Sequence, residues 1–149
     1  MSTKLTPHFT LEELTTTKTG LSNIPDDNDI NQLLILCRDI LEPLRTALND
    51  HTYQLTKLRN AIIIVDSAFR SAAVNRSVGG VSNSQHLIGQ AADIHSNHVS
   101  PLNIYRIIGS LVHQGQLNIG QCIFYKKSNF VHVSLPTTTH KNEFTIRNK

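Results

Sequence analysis

The chain has 149 residues, with 14 Lys and Arg, 11 Asp and Glu and 8 His, for a formal charge of +3. This length suits one domain burying roughly 70% of its unfolded surface. Apolar residues at 39% against 17% charged exclude a disordered tail protein. The small positive balance lacks the clustered Lys and Arg of a nucleic-acid binder, so no nucleic-acid partner is expected.

Met1 to Thr10 contains no apolar run of the secretory type, and no stretch approaches the roughly 18 apolar residues of a membrane span. The expectation is synthesis in the cytoplasm without a signal peptide, no membrane partner and a monomer. Cys37 and Cys122 both sit in apolar runs and read as buried free thiols.

Thr10-Leu11-Glu12-Glu13 forms a capping box, with Phe9 and Leu14 as its hydrophobic staple, and predicts a short helix from Leu11 to Thr17. Gly20 to Asp27 is a loop. Ile30, Leu33, Leu34, Cys37, Leu41, Leu44 and Leu48 keep the helical period, with a kink or fresh start expected at Pro43. A short edge strand is predicted at Tyr53-Gln54-Leu55. Ala61-Ile62-Ile63-Ile64-Val65 is β-branched and continuous, the pattern of a buried central strand. Ser67 to His86 reads as a long polar loop, and such loops inside small domains usually carry function.

Ala91-Ala92-Asp93-Ile94-His95 predicts a strand. Ser100-Pro101 starts a helix carrying Ile104, Ile107, Ile108, Leu111 and Val112, with Gly115 as its stop. Cys122–Tyr125 and Phe130–Leu135 predict two strands joined by the basic turn Lys126-Lys127-Ser128-Asn129, and Phe144-Thr145-Ile146 a last edge strand. Helices early and strands late give an α+β fold: a single small domain over residues 1–149, its antiparallel sheet packed by helices.

Alternation puts Val131 and Val133 on one face of their strand and His132 on the other. If that strand neighbours the Asp93 strand, then His86, Asp93 and His132 converge. Two imidazoles and a carboxylate suit Zn²⁺ with one position left for water. Ser84 lies where a hydroxyl can support the His86 ligand. Each residue alone also has a plain reading, as a loop histidine or a strand-edge carboxylate.

Ser84-x-His86-x-x-Gly89-x-Ala91-x-Asp93, followed by Phe130-Val131-His132-Val133, resembles the zinc D-Ala-D-Ala carboxypeptidase family, peptidoglycan peptidases related to the hedgehog N-terminal domain. Ser67-Ala68-Phe69-Arg70, Asn75 and Gly79-Gly80 are similar to further family features. The segments Phe9–Leu14 and Leu41–Arg45 look like those of phage-type members. The resemblance runs from about Phe9 to Leu135, with its motif core at about 61–135.

It implies Zn²⁺ held by His86, Asp93 and His132, a metal that lowers the pKa of its water and polarises the scissile carbonyl. It implies Arg70 on the oxyanion or a substrate carboxylate, and Ser67, Ser84 and Asn129 as supporting or substrate-binding residues. The implied activity is cleavage of peptidoglycan stem peptides, as a carboxypeptidase or an endopeptidase, in an endolysin-like enzyme acting on the cell wall after release.

One part of the family pattern is missing. A peptidase needs a general base, commonly a carboxylate three residues before the last histidine ligand. Asn129 stands there, and no Asp or Glu occurs between Asp93 and Glu143. Asp66 or Glu143 can substitute, or a histidine, His95 first and His98 or His113 next. The alternative is a catalytically impaired zinc domain that binds cell wall, as a virion or tail component. The basic turn Lys126-Lys127 offers a contact to anionic wall polymers or simply a solvated tip.

Overall fold

The computed structural model describes residues 2–149. Strands β1 (Lys4–Thr6) and β2 (Phe9–Thr10) make a small antiparallel ribbon. Helix α1 (Leu11–Leu14) follows, and both bonds of its capping box are present. It stops three residues short of the expected end. Thr15, Thr16 and Thr17 lose rotamer freedom in a helix, and the Thr15 hydroxyl turns back to the Leu11 carbonyl instead.

The long periodic segment is one rod in three parts: α2 (Asp27–Leu36), a π turn (Cys37–Leu41) and α3 (Glu42–Thr56). The expected break at Pro43 takes this form. Pro43 has no N–H for the Asp39 carbonyl and its ring crowds that carbonyl, so a wider turn precedes it. The Glu42 N–H reaches the Cys37 carbonyl across the turn. The strand predicted at Tyr53-Gln54-Leu55 is instead the end of α3, closed by Lys57 in the left-handed region. The inward face there is polar. Buried Asn49 bonds both the N–H and the carbonyl of Ala61, and buried Thr52 bonds the Leu58 carbonyl. An apolar period alone cannot show such a face.

The main sheet has the order β3-β4-β6-β5-β7. Its strands are β3 (Ile63–Ser67), β4 (Ala91–Ser96), β5 (Gln121–Tyr125), β6 (Phe130–Ser134) and β7 (Glu143–Arg147). Pairing is antiparallel except β5 with β7, which is parallel. Strand β3 lies at one edge, not at the centre. Ile63 and Val65 are buried, whereas Ile62 just before the strand stays 45% exposed. A β-branched run marks a strand without telling edge from centre. The predicted last edge strand is β7.

The stretch expected as loop after β3 contains α4 (Ala72–Ser77), capped by Ser71, and a 3₁₀ turn at Gln85–Ile88. Helix α5 (Pro101–His113) begins at the Ser100 cap as expected and gives way to Gly115 at positive φ. Leu33, Leu36, Ile40, Leu44 and Leu48 from the rod, Ile104 and Ile108 from α5, and Ala92, Ile94, Val131 and Val133 from the sheet form the core. Cys37 and Cys122 are buried free thiols. No described helix is long and apolar enough to cross a membrane.

Candidate metal centre

Alternation on the central strands decides what faces the site. On β4 and β6, Ala92, Ile94, Val131 and Val133 point into the core, so Asp93 and His132 point to the opposite face. The register pairs Asp93 directly with His132. His86 comes from the 3₁₀ turn before β4. Gly89 ends that turn at φ 74°, and a side chain there would meet the Asp29 carbonyl at 2.5 Å.

The three side chains meet in a buried cluster. One ligand atom from each lies within 4.8 Å of the others. Asp93 Oδ1 is 2.9 Å from His132 Nδ1 and 3.3 Å from His86 Nε2. His86 Nδ1–H donates to the Ala68 carbonyl at 2.6 Å, which turns Nε2 toward the cluster. The two imidazoles meet edge to face, 5.1 Å apart.

Burial pushes the Asp93 carboxyl upward, but the charge of His86 and hydrogen bonds from His132 and His86 outweigh it. They hold the group well below the usual carboxylate range. Donors around one tetrahedral zinc sit about 3.3 Å apart. Two imidazole nitrogens and an ionised carboxylate at these separations fit such an ion, and the Ala68 bond fixes one ligand as second-sphere partners do.

Arg70 stands behind Asp93. Its Nη2 donates to Asp93 Oδ2 at 3.0 Å, its Nε to Ser67 Oγ at 3.1 Å and its Nη1 to Asn75 Oδ1 at 3.4 Å. Three of the five N–H donors of the guanidinium thus point inward, leaving two. Ser67 therefore touches Arg70. The Ser84 hydroxyl accepts the backbone N–H of His86 and caps the turn that presents its imidazole.

Asp66 and His95 form a second pair, His95 Nδ1 to Asp66 Oδ2 at 2.8 Å. The β3–β4 register slips between Val65 and Ser67, so Asp66 is the extra residue of a bulge, a device that re-aims a side chain. Asp66, His95 and Asp93 line one cavity of about 370 Å³ with Ser128, Asn129 and Phe130. Asn129 adopts φ 59° in the tight turn before β6. Glu143 instead bonds His140 and stays out of the cluster. His98 and His113 lie outside the residues lining the cavity.

Two contributors, the Ala68 carbonyl and Asn23, escaped the reading of the sequence, and a third, Asn75, was named there without a role. The Ala68 carbonyl has no side-chain signature. Asn75, buried, bonds Arg70 and the Val81 carbonyl, and a side chain on Gly80 would overlap it. Asn23 bonds the carbonyls of Thr15 and Phe69 and the N–H of Ser71, clamping the Ser67–Arg70 segment from a distant loop.

No curated protein matches the chain. Residues 7–134 match the family Peptidase M15, a family of zinc metallopeptidases, and this span takes in all three cluster residues, Arg70 and the Asp66–His95 pair. The chain belongs to the Peptidase M15 family and is a metallopeptidase-type hydrolase by that membership.

Proposed function

We propose that this protein is a zinc peptidase that cleaves peptide stems of peptidoglycan next to a D-amino acid, in an endolysin-like role on the bacterial cell wall. The observation that carries the reading is the His86–Asp93–His132 donor set beside a cavity of about 370 Å³. When bound there, zinc supplies a Lewis acid that polarises the scissile carbonyl and makes water a nucleophile near neutral pH.

The chain's own residues do the rest. The Ala68 carbonyl fixes the tautomer of His86. Arg70 holds Asp93 Oδ2, so that Oδ1 faces the two imidazoles, and its two remaining donors suit a substrate oxygen. Proton acceptance falls to the Asp66–His95 pair, which lines the cavity where Asn129 replaces a carboxylate. With Nδ1 on Asp66, His95 offers Nε2 to the cavity. The restraint of His95 by Asp66 is the arrangement that orients catalytic imidazoles elsewhere.

Purified protein incubated with peptidoglycan should release new amines or free D-alanine. A chelator should stop the release and added zinc restore it. Absence of any release from several wall chemotypes would sink the peptidase reading. The second reading, a wall-binding zinc domain without turnover in a virion or tail, is favoured by Asn129 and the carboxylate-free stretch from Ile94 to Asn142. It predicts zinc-dependent sedimentation with cell walls and no release.

A further inference from the structure

The face of the sheet that carries the cluster continues past it. Register places Tyr125 opposite Phe130, and Arg147 opposite Tyr125. Because β4 and β6 align Asp93 with His132 and Ile94 with Val131, His95 and Phe130 fall in the same cross-strand row. One row away from the Asp93–His132 pair therefore runs a line His95, Phe130, Tyr125, Arg147, crossing four strands on one face.

Phe130 and Tyr125 stack with ring centroids 4.7 Å apart, and the Arg147 guanidinium lies over the Tyr125 ring at 5.9 Å. Phe130 also walls the cavity beside Asp93, so the line is continuous with the metal centre. At its far end the β5–β6 turn adds exposed Lys126 and Lys127. That turn is tied to the last strand by the Lys126 N–H on the Arg147 carbonyl, at 2.9 Å.

Side-chain charge is one-sided here, and the Lys149 oxygen accepts the backbone N–H groups of Lys127 and Ser128. Among the described residues Lys126, Lys127 and Arg147 form no ion pair. The side-chain acid nearest along β7, Glu143, is four residues back from Arg147 and is taken by His140. Strands lie about 4.8 Å apart and a two-residue step adds about 7 Å, so His132 and Arg147 are separated by about 12 Å. An extended peptide covers that distance in three to four residues.

We infer that this aromatic strip with its cationic end is a substrate subsite that binds the anionic arm of the peptide, seating a carboxylate three or four residues from the scissile bond. The inference rests on the peptidase reading and names the charge that its substrate carries. The stacked rings present a row of apolar edges along which the peptide lies, and the cations select and orient the acidic group.

The test uses zinc-loaded full-length protein and two fluorescently labelled stem pentapeptides. One is L-Ala-γ-D-Glu-L-Lys-D-Ala-D-Ala, and the other carries the amidated glutamate, which removes one carboxylate. Fluorescence anisotropy gives the Kd of each, and turnover is followed in parallel. The acidic peptide should bind about fivefold tighter, since rim charges contribute modestly. The preference should shrink toward unity in R147Q combined with K126Q and K127Q, and in rising salt. Zinc content and thermal midpoint of the variant check its fold, and R147K should restore most of the preference. Equal affinity of wild type for the two peptides, or a preference untouched by the variants, would overturn the inference. So would tighter capture of a polyglycerol phosphate than of either peptide, because that assigns the strip to a phosphodiester polymer. A preference without turnover would leave the strip standing and remove only the peptidase reading.

Discussion

The molecule holds two constellations of the same chemistry on neighbouring strands. In one, Asp93 meets His86 and His132 at 3.3 and 2.9 Å. In the other, Asp66 meets His95 at 2.8 Å. Distances barely separate them, whereas exposure does. The side chains of His86, Asp93 and His132 are 3, 11 and 13% exposed, those of His95 and Asp66 37 and 41%. Solvent screens the second pair, and an exposed pair contributes about 0–1 kcal/mol. The first set is desolvated, so its electrostatics are strong enough to hold Asp93 ionised against its burial. One arrangement suits holding a cation. The other, on a bulge at the cavity rim, suits exchanging a proton.

The largest break in this comparison is Asp93→Ala. It removes the proposed carboxylate ligand and strips Arg70, whose side chain is 15% exposed, of its counter-charge. Removing one partner of a buried pair costs about 3 kcal/mol. Zinc affinity should fall by at least about a hundredfold. Turnover should drop on the order of a thousandfold, because the Lewis acid supplies several kcal/mol. Competition against a chromophoric chelator and a thermal melt measure the two effects. Retained zinc stoichiometry and activity would show that the cluster is only a buried polar network.

Breaking the exposed pair should look different. Asp66→Asn and His95→Gln should keep zinc and shift the melt by under about 1 kcal/mol. His95→Gln should lower kcat about a hundredfold, the smaller end of a general-base contribution, and Asp66→Asn less, since it only orients the ring. Activity in both variants equal to that of wild type would move the proton acceptor elsewhere.

Much of this was legible before any coordinates. His86, Asp93 and His132 could be singled out because alternation fixes which strand residues share a face, and spacing fixes the turn before β4. Asp66 and His95 were named, but their contact depends on a bulge that no residue pattern between Val65 and Ser67 announces. The edge position of β3 was hidden because Ile62, Ile63, Ile64 and Val65 read alike whether or not a neighbour covers them. The end of α3 was misread as a strand because Asn49 and Thr52 put polar atoms on its inward face. Asn23 reaches the site from 48 positions away in sequence, and only the folded chain joins it to Ser71.

The smallest expected effect isolates burial from pairing. Asp93 is buried with cations beside it and is driven down. Cys37 is buried without one, and burial, with lesser contributions from Glu42 and Glu13, pushes its thiol up to about 12 from an ordinary 9.0. Burial alone also raises Cys122. Both thiols stay protonated in the folded chain where an unfolded chain would ionise. Below pH 9 this costs nothing, since both states carry the proton. Above it the unfolded state sheds protons that the folded state keeps, so stability falls as pH rises, by about 1 kcal/mol per thiol at pH 10. A thiol-specific chromogenic reagent should label neither cysteine in native protein at pH 8 and both in denaturant. Denaturant midpoints from pH 8 to 10 should decline more steeply for wild type than for Cys37→Ala, the slopes being compared because the substitution also removes packing. Rapid native labelling, or identical slopes, would mean that the interior around α3 opens to solvent, and that the desolvation separating the two constellations does not extend through the core.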